Sequence, residues 1–448
     1  MRKASSIRGT HTTFYGRGAM LAQVRLAGVM AAALLTGFVA IAAEPLNLPK
    51  PPPSKVQEVK EVLHGVEIID RYRWLEDQNA PETREWIDAQ NKYTEALLGT
   101  RKEREALRER LSQLLKIDTI GMPIEAGGKY FFSKRLANQD LSIIYVRNGV
   151  KGKDEVLIDP HPLSPDKTVS VGMMDVASDG KLMAYSVRTG GEDEVVVKFF
   201  DVEARKDLPD SFPRARYFGV QIKPDHSGVF YTKFDKAGPR VYYHVMGTPM
   251  AEDVELFGKG YGPDKIISAS LSENGRHLLF TVMYGSAAKK SEIWYMDVEK
   301  KGPIVPIVND IDARFSGTFA GDQLLLQTNW EAPNGRILKV DVNQPARTDW
   351  KEIIPTGKAA MVGFSPVGGK LFVNYLEDVN SRVKIFSPQG QHLGDISFPS
   401  IGTVSGVSGW WSKPEAFYSF SSFLVPSTIY RYDVAQGEST EWARVKVP

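Results

Sequence analysis

The sequence contains no cysteine, no long run of charge of one sign and no cluster of metal-ligand residue types. Without cysteine the chain has neither disulfides nor thiolate metal sites, which is compatible with an oxidising compartment. The seven histidines are scattered, and no two stand at the spacing of a zinc site. Lysine plus arginine (56) nearly balances aspartate plus glutamate (54), and no basic stripe indicates a nucleic-acid partner. We therefore expect no cofactor, no metal and no nucleic acid.

Residues 1–43 have the pattern of an export signal. They carry five basic residues and no acidic one, and Ala40-Ile41-Ala42 at the end of an apolar run (residues 26–43) offers a cleavage site. Cleavage would take the formal net charge from +2 to −3 and leave a periplasmic or extracellular protein with no membrane attachment. The apolar run approaches the ~20 residues that span a bilayer, so an uncleaved anchor stays open. A true start at Met20 also stays open.

Residues 44–116 are predicted to form a proline-rich linker followed by two helices. The linker, residues 45–55, is expected to be extended. The first helix is predicted over residues 81–98, from a proline to Gly99, and the second over 101–116, with a capping pattern at Thr100. Both helices have an apolar face that needs a surface to cover it: Trp86, Ala89, Tyr93 and Leu97 on the first, and Leu107, Leu111, Leu114 and Leu115 on the second.

A repeat of about 47 residues organises the rest of the chain. Glycine-containing turns recur from Gly180 to Gly228, Gly275, Gly321 and Gly369 at separations of 48, 47, 46 and 48 residues. Similar pairs stand at residues 127–128 and 412–413. A second sequence mark recurs at a fixed distance, 20 to 22 residues, after the turns. It is an Asp-Val pair that follows a bulky apolar residue, with the aspartate at residues 201, 297, 341 and 433.

This repeat predicts an all-β fold, a seven-bladed β-propeller over residues 117–442. Glycine or asparagine supplies the positive φ of a tight hairpin turn, and the aspartate can hydrogen-bond nearby backbone to fix a corner. Four short strands with turns fill one period, and such units cover their apolar faces by stacking around a ring. One large β-sandwich is the alternative, but a sandwich has no reason to repeat at this interval.

No catalytic pattern is present. The nearest approach to the G-x-S-x-G nucleophile elbow is residues 406–410 (GVSGW), where Trp410 replaces the last small residue. The acidic run 192–194 is interpreted as a solvated hairpin tip, and Glu76-Asp77 as a helix-entry feature rather than an acid/base pair. His226 and His277 stand beside hairpin turns and are predicted to be solvated.

Several separated segments resemble the prolyl oligopeptidase family of serine peptidases. The resemblance covers nearly everything from residue 49 to residue 448, and the segments that carry it occur in the family's order: residues 70–77 (DRYRWLED), 89–91 (AQN), 197–200 (VKFF), 242–247 (YYHVMG) and 421–430 (SSFLVPSTIY). The resemblance implies an amino-terminal segment and a carboxy-terminal α/β-hydrolase domain forming the catalytic half, with a propeller that restricts entry to short peptides. It also implies a ring with no strand shared between first and last blades, held there by apolar packing alone.

In that family the catalytic serine, aspartate and histidine follow the propeller, so none is expected in this sequence. Residues 443–448 would begin the hydrolase domain, and residues 44–116 would pack on it. The resemblance also implies that Phe199 matches an aromatic residue, on a propeller strand, that helps to line the substrate site, while the alternative reading makes Phe199 and Phe200 both core residues between blades.

Three functions are compatible with the sequence. The first is the propeller part of an exported prolyl oligopeptidase-like serine endopeptidase, a monomer that admits short proline-containing peptides but is inactive as this chain alone. The second is a stand-alone propeller that binds a partner. The third is a pseudoenzyme or inhibitor that caps a hydrolase encoded elsewhere.

Overall fold

The computed structural model describes residues 49–99 and 101–447, and the chain divides into two compact units, Met1–Glu109 and Arg110–Pro448. The predicted export signal and the predicted cap Thr100 lie outside the described residues. None of the helices in the described part of the chain is long and apolar enough to cross a membrane.

The first unit is built around one long helix, α1 (Pro81–Leu98), whose bounds match the prediction. A hairpin and a 3₁₀ turn precede it: β1 (Val59–Leu63), β2 (Val66–Asp70) and the turn Arg73–Glu76. The predicted linker lies along this helix. The Tyr93 hydroxyl donates to the carbonyl of Pro49 at 2.5 Å, and the Gln90 amide donates to the carbonyl of Pro52 at 3.0 Å. The proline-rich segment therefore lies against the face of α1 that carries Trp86 and Tyr93.

The second helix, α2 (Lys102–Leu115), spans the boundary between the units and has no buried residue. Its four leucines are exposed by 61% (Leu107), 54% (Leu111), 40% (Leu114) and 64% (Leu115). Most helical stability in proteins comes from burying an apolar face, so this helix lacks its usual source of stability within the described residues.

Seven blades follow, as the repeat predicted. The strands of blades 1 to 3 are β3 (Thr119–Ile120), β4 (Ile124–Ala126), β5 (Lys129–Arg135), β6 (Ile143–Asn148) and β7 (Asp154–Ile158); β8 (Val169–Val176), β9 (Leu182–Thr189), β10 (Val195–Asp201) and β11 (Lys206–Ile222); and then β12 (Gly228–Asp235), β13 (Gly238–Val245) and β14 (Val254–Phe257). In blade 1, β3 and β4 both pair with β5, so together they act as the first strand.

Blades 4 to 7 are four-stranded antiparallel sheets in chain order. Their strands are β15 (Ile266–Leu271), β16 (His277–Met283), β17 (Ser291–Asp297) and β18 (Val305–Val308); β19 (Phe315–Ala320), β20 (Gln323–Thr328), β21 (Arg336–Val340) and β22 (Lys351–Ile354); β23 (Ala360–Val367), β24 (Lys370–Glu377), β25 (Asn380–Phe386) and β26 (His392–Asp395); and β27 (Thr403–Gly409), β28 (Glu415–Ser421), β29 (Thr428–Asp433) and β30 (Glu438–Arg444). Ala443 and Arg444, expected to begin another domain, complete β30, since Arg444 pairs with Thr428.

Blades 2 and 3 share one strand. The first part of β11 pairs with β10, and from Arg216 onward the same strand pairs with β12. Tyr217 takes a φ of +52° where the pairing changes. The two blades therefore form one seven-stranded sheet.

The seven turns between the first and second strands of each blade lie on one side of the ring, which we call the turn face. Asn274 of blade 4 reaches Asp322 of blade 5 at 2.9 Å, and His226 of blade 3 reaches Asp179 of blade 2 at 3.0 Å. The prediction of Gly228 as the turn glycine was wrong. His226 takes the left-handed position with φ +59°, and Gly228 begins β12 against the side chain of Tyr243.

The aspartate corners are confirmed. The carboxylate of Asp201 accepts the amides of Glu203 and Ala204 at 3.0 and 2.8 Å, and Asp433 does the same for Ala435 and Gln436 at 2.9 and 3.0 Å. Each aspartate satisfies main-chain donors that a corner leaves unpaired. The mark therefore repeats where a blade corner uses an aspartate to bind the amides that follow it.

The ring closes without a shared strand, as expected, but the prediction of purely apolar packing was wrong. The indole of Trp410 in blade 7 donates to the carbonyl of Glu125 in blade 1 at 2.5 Å, and Lys413 pairs with the Glu125 carboxylate at 2.6 Å. Trp442 of the last strand packs beside Tyr130, with ring centres 4.9 Å apart. The first and last blades are therefore joined by polar and aromatic side chains together.

Candidate functional site

The first strands of blades 4 to 7 surround a cavity of about 330 Å³ at the centre of the ring, which we call the channel pocket. First strands line the central channel of a propeller. The lining combines hydroxyl groups with aromatic faces: Ser270, Thr318, Ser365 and Ser408, with Phe319, Phe364, Trp410 and Trp411. Such a surface offers hydrogen bonds and apolar contact to a peptide, but no charge of its own apart from Glu273.

The serine of the elbow-like segment is not a nucleophile in this arrangement. Ser408 lies on β27, and Gly406 before it has φ +100° at an irregularity of strand pairing. The hydroxyl of Ser408 lies 3.5 Å from the carbonyl oxygen of Phe417, a partner that cannot remove its proton. The segment is a bulged blade strand rather than a strand-to-helix turn.

Phe199 has no solvent-exposed surface. Its ring packs edge-to-face on Phe212, with centres 5.2 Å apart, in the core that joins blades 2 and 3. Phe200 is also buried, in the core between blades 1 and 2. This packing matches the alternative reading of both residues as core, and contact between Phe199 and a substrate stays a prediction.

The histidine beside the blade 4 turn is buried, so the prediction of a solvated His277 was wrong. Its ring is 3% exposed, stacks on Phe319 at 4.5 Å, and places one nitrogen 2.8 Å from Asp322 and the other 3.0 Å from the Tyr295 hydroxyl. His226 keeps part of its side chain exposed. Sequence position alone did not show which of the two turns the next blade covers.

A buried chain of titratable groups, which sequence reasoning did not single out, joins blade 3 to the blade 2 part of β11. His244 is 1% exposed, with one ring nitrogen 2.7 Å from Asp253 and the other 3.1 Å from Asp210. Asp253 also accepts the hydroxyl of Tyr231 at 2.7 Å, and burial first, then this carboxylate, raises the pKa of Tyr231. The signal available was Tyr242–Gly247, a resemblance segment whose histidine had no assigned role.

The acidic pairs behave as interpreted. Glu192 and Asp193 are exposed at the β9–β10 loop, where Arg214 pairs with Glu192 and Glu194. Asp77 accepts the amide of Asn79 just before α1. Within residues 49–99 and 101–447, no group of three or more histidine, aspartate and glutamate side chains has the arrangement of a metal site.

The chain enters and leaves the propeller on the side opposite the turn face, which we call the terminal face. β4 runs toward the turn at Gly127-Gly128, so it begins at the terminal face. β30 starts beside Asp433 and ends where Arg444 pairs with Thr428, and the amide of Val445 then donates to Ser427 at 2.9 Å. A domain joined to both ends of the propeller would therefore meet this face.

Comparison with known proteins finds likeness along nearly the whole described chain. Residues 51–445 match the model of the prolyl oligopeptidase N-terminal β-propeller domain. The chain is 29% identical to a prolyl endopeptidase of Elizabethkingia meningoseptica over 422 residues, 92% of this chain and 59% of the relative. It is 24% identical to dipeptidyl aminopeptidase BI of Pseudoxanthomonas mexicana, covering 94% and 61%.

Solved structures agree on the fold. A prolyl endopeptidase structure superposes with a TM-score of 0.83 at 30% identity, covering 89% of this chain and 60% of that one. Prolyl oligopeptidase B of Galerina marginata, bound to a 35-residue hydrolysis and macrocyclisation substrate, gives 0.77 at 21% identity, which shows the fold alone. The chain spans about three fifths of the length of these relatives. With the family model matched over residues 51–445, the chain belongs to the prolyl oligopeptidase family, as its amino-terminal β-propeller domain.

Proposed function

We propose that this chain is the propeller part of an exported prolyl oligopeptidase-like serine endopeptidase, and that it admits only short proline-containing peptides to a hydrolase domain. The observation that carries the proposal is the family match over residues 51–445. Two features support it: relatives extend well beyond the matched region, and both ends of the propeller lie on one face.

The channel pocket supports the restricting role. Its cavity of about 330 Å³ has the size of a small-ligand pocket, which suits a short peptide segment and is too small for a folded domain. The hydroxyl and aromatic lining fits transient contact with peptide groups. The basic and apolar pattern of residues 1–43 supports export to a periplasmic or extracellular location.

The first test is activity. The purified chain should not hydrolyse a chromogenic proline-containing peptide, because nucleophile, base and oxyanion hole act as a unit and the matched domain supplies none of them. Cleavage by the chain alone that a serine-directed reagent abolishes would contradict the proposal.

The second test is restored restriction. Two proteins are compared: the hydrolase domain of the Elizabethkingia prolyl endopeptidase on its own, and the same domain fused to this chain after residue 445. We expect the fusion to cleave a short proline peptide and spare the same sequence inside a long unfolded protein, while the hydrolase domain alone cleaves both or neither. A fusion that cleaves the long protein as fast as the short peptide would show that the propeller restricts nothing, and inhibition of the hydrolase domain by added chain would favour an inhibitor.

A further inference from the structure

We infer that the blade 7 hairpin turn forms a lid across the turn-face mouth of the central channel, so that the channel pocket opens to solvent only toward the terminal face. The observation is a contact between blades that are not neighbours. The amide of Ser412 in blade 7 donates to the carboxylate of Glu273 in blade 4 at 3.2 Å, and the Ser412 hydroxyl donates to the other oxygen of that carboxylate.

The position of these residues in the ring makes the contact cross the channel. Blades 5 and 6 separate blade 4 from blade 7 on one side, and blades 1, 2 and 3 separate them on the other. Ser412 and Glu273 both stand in turns of the turn face, directly after the first strands β27 and β15. A hydrogen bond between them passes over the mouth that these first strands surround.

The neighbouring tryptophan holds the lid against a third blade. A Cβ atom built on Gly321, in the blade 5 turn, would stand 3.1 Å from the indole nitrogen of Trp411. Trp411 also packs against the core between blades 5 and 6. The absence of a side chain at residue 321 therefore lets the indole approach the blade 5 turn closely.

The base of the lid is fixed to blade 1. Trp410 donates to the carbonyl of Glu125, and Lys413 pairs with the Glu125 carboxylate, so the residues on both sides of Trp411-Ser412 are tied down. The amides of Gly368 and Gly369 in blade 6 also donate to the carbonyls of Trp410 and Trp411 at 3.0 Å, so the blade 7 turn contacts blades 1, 4, 5 and 6. Ser270, Ser365 and Ser408 lie beneath it in the channel pocket.

The absence of cysteine allows a direct test with single introduced thiols. Ser270→Cys places a thiol in the channel pocket, and Ser268→Cys places one on the same exposed side of β15, two residues nearer the terminal face. Each is labelled with a bulky polyethylene glycol maleimide in the full chain. Ser412→Ala combined with Glu273→Ala removes the hydrogen bonds that hold the lid to blade 4 across the mouth, which we call lid release.

We expect release of the lid to raise the labelling rate of Ser270→Cys by about tenfold, since hydrogen bonds to a carboxylate hold the lid closed. Ser268→Cys should change less. Glu273→Gln, which keeps an acceptor for the Ser412 amide, should retain most of the protection. Ser227→Ala is the matched control, because this turn hydroxyl bonds Asp225 within its own blade.

An unchanged labelling rate of Ser270→Cys after lid release would overturn the inference, and so would equal acceleration by Ser227→Ala. Thermal unfolding of each variant shows whether it keeps the fold. That a peptide is the solute kept from this mouth rests on the proposed function, but the labelling measures closure of the channel itself. Failure of the hydrolase fusion would leave the labelling result intact.

Discussion

Tyr130 of blade 1 donates its hydroxyl to the carboxylate of Glu415 in blade 7 at 2.9 Å, joining residues 285 positions apart in the sequence. Arg431 pairs with the same carboxylate from the adjacent strand of blade 7. Burial first, and then the charge of Glu415, raises the pKa of the Tyr130 hydroxyl, which therefore stays a donor at neutral pH. This junction does the work that a shared strand does in other rings.

We predict that Glu415→Ala lowers the free energy of unfolding by about 2–3 kcal/mol, because a hydrogen bond to a charged group is lost and Arg431 keeps no partner there. Tyr130→Phe should cost only about 1 kcal/mol, since Arg431 still neutralises Glu415. Urea denaturation measures both. Arg444→Ala removes an exposed pair with Glu441 and should change stability little. Equal effects of Glu415→Ala and Arg444→Ala would show that the junction does not stabilise the ring.

Asp175 gives a prediction for pH. Its carboxylate accepts the amide of Ile222 from the next blade at 2.7 Å, and burial raises its pKa from 3.8 to about 6 against the lowering effect of that amide and of the Val176 amide. The raised native pKa means that the native state binds the proton more tightly than the unfolded chain. The protein therefore gains stability as pH falls from above 6 to below 4, on the order of 3 kcal/mol from this group.

We expect Asp175→Asn to lack that gain, because an amide does not titrate. The stability of the unmodified protein minus that of the variant should rise as pH falls from 7 to 4. Urea denaturation at several pH values measures it, with Asp193→Asn in an exposed loop as control. A difference that stays constant over this range would contradict the assignment.

His244 and His392 form a matched pair for comparing buried and exposed histidine–carboxylate contacts. His244→Ala leaves the buried carboxylates of Asp210 and Asp253 facing each other across a gap, so we expect a loss of about 3–5 kcal/mol. His392→Ala removes an exposed contact with Asp395 and should change stability little. Thermal and urea unfolding measure the loss of stability in each variant. Equal losses would show that the buried His244 contacts stabilise the protein no more than the exposed contact of His392.

Substitutions at Phe199 distinguish a role in core packing from a role in substrate contact. Phe199→Ala should lower the free energy of unfolding by about 3–5 kcal/mol through the cavity it creates between blades 2 and 3. Phe199→Leu should cost less, because most of the volume stays filled. In an active hydrolase fusion, a change in KM for the leucine variant without loss of stability would favour contact with substrate.

The leucine face of α2 predicts local mobility. Hydrogen exchange should be fast in residues 101–115 and slow in blade strands such as β16 and β24, because exposed leucines give the helix little stability. Leu111→Glu should leave the free energy of unfolding unchanged within about 0.5 kcal/mol. Equal protection of helix and blades would show that the leucines are covered.

The sequence predicted what depends on local rules. α1 was placed from Pro81 and Gly99, and the corners at Asp201 and Asp433 followed from the hydrogen bonds an aspartate makes with nearby amides. The blade count followed from the period. These features involve residues close in the chain, where turn chemistry and strand length decide the outcome.

The sequence could not predict contacts that ring closure creates between distant segments. Nothing near Glu415 indicates Tyr130, and nothing near Ser412 indicates Glu273, 139 residues away. The same limit explains His277, which the next blade covers with Phe319. At residue 226 the turn uses histidine in the position where neighbouring blades use glycine, so counting glycines shifted the turn by two residues.

Strand β11 has a mechanical consequence. If the chain were stretched between residues 117 and 447 in a single-molecule pulling experiment, blades with their own four strands could unravel separately. Blades 2 and 3 are joined by one continuous strand, Lys206–Ile222. Unfolding either blade therefore removes strand pairing from the other. The force trace would then show blades 2 and 3 unfolding in one event, with a gain in chain length about twice that of a single blade, at roughly 3.5 Å for each residue released. A ring of seven independent blades would show two separate events for these blades.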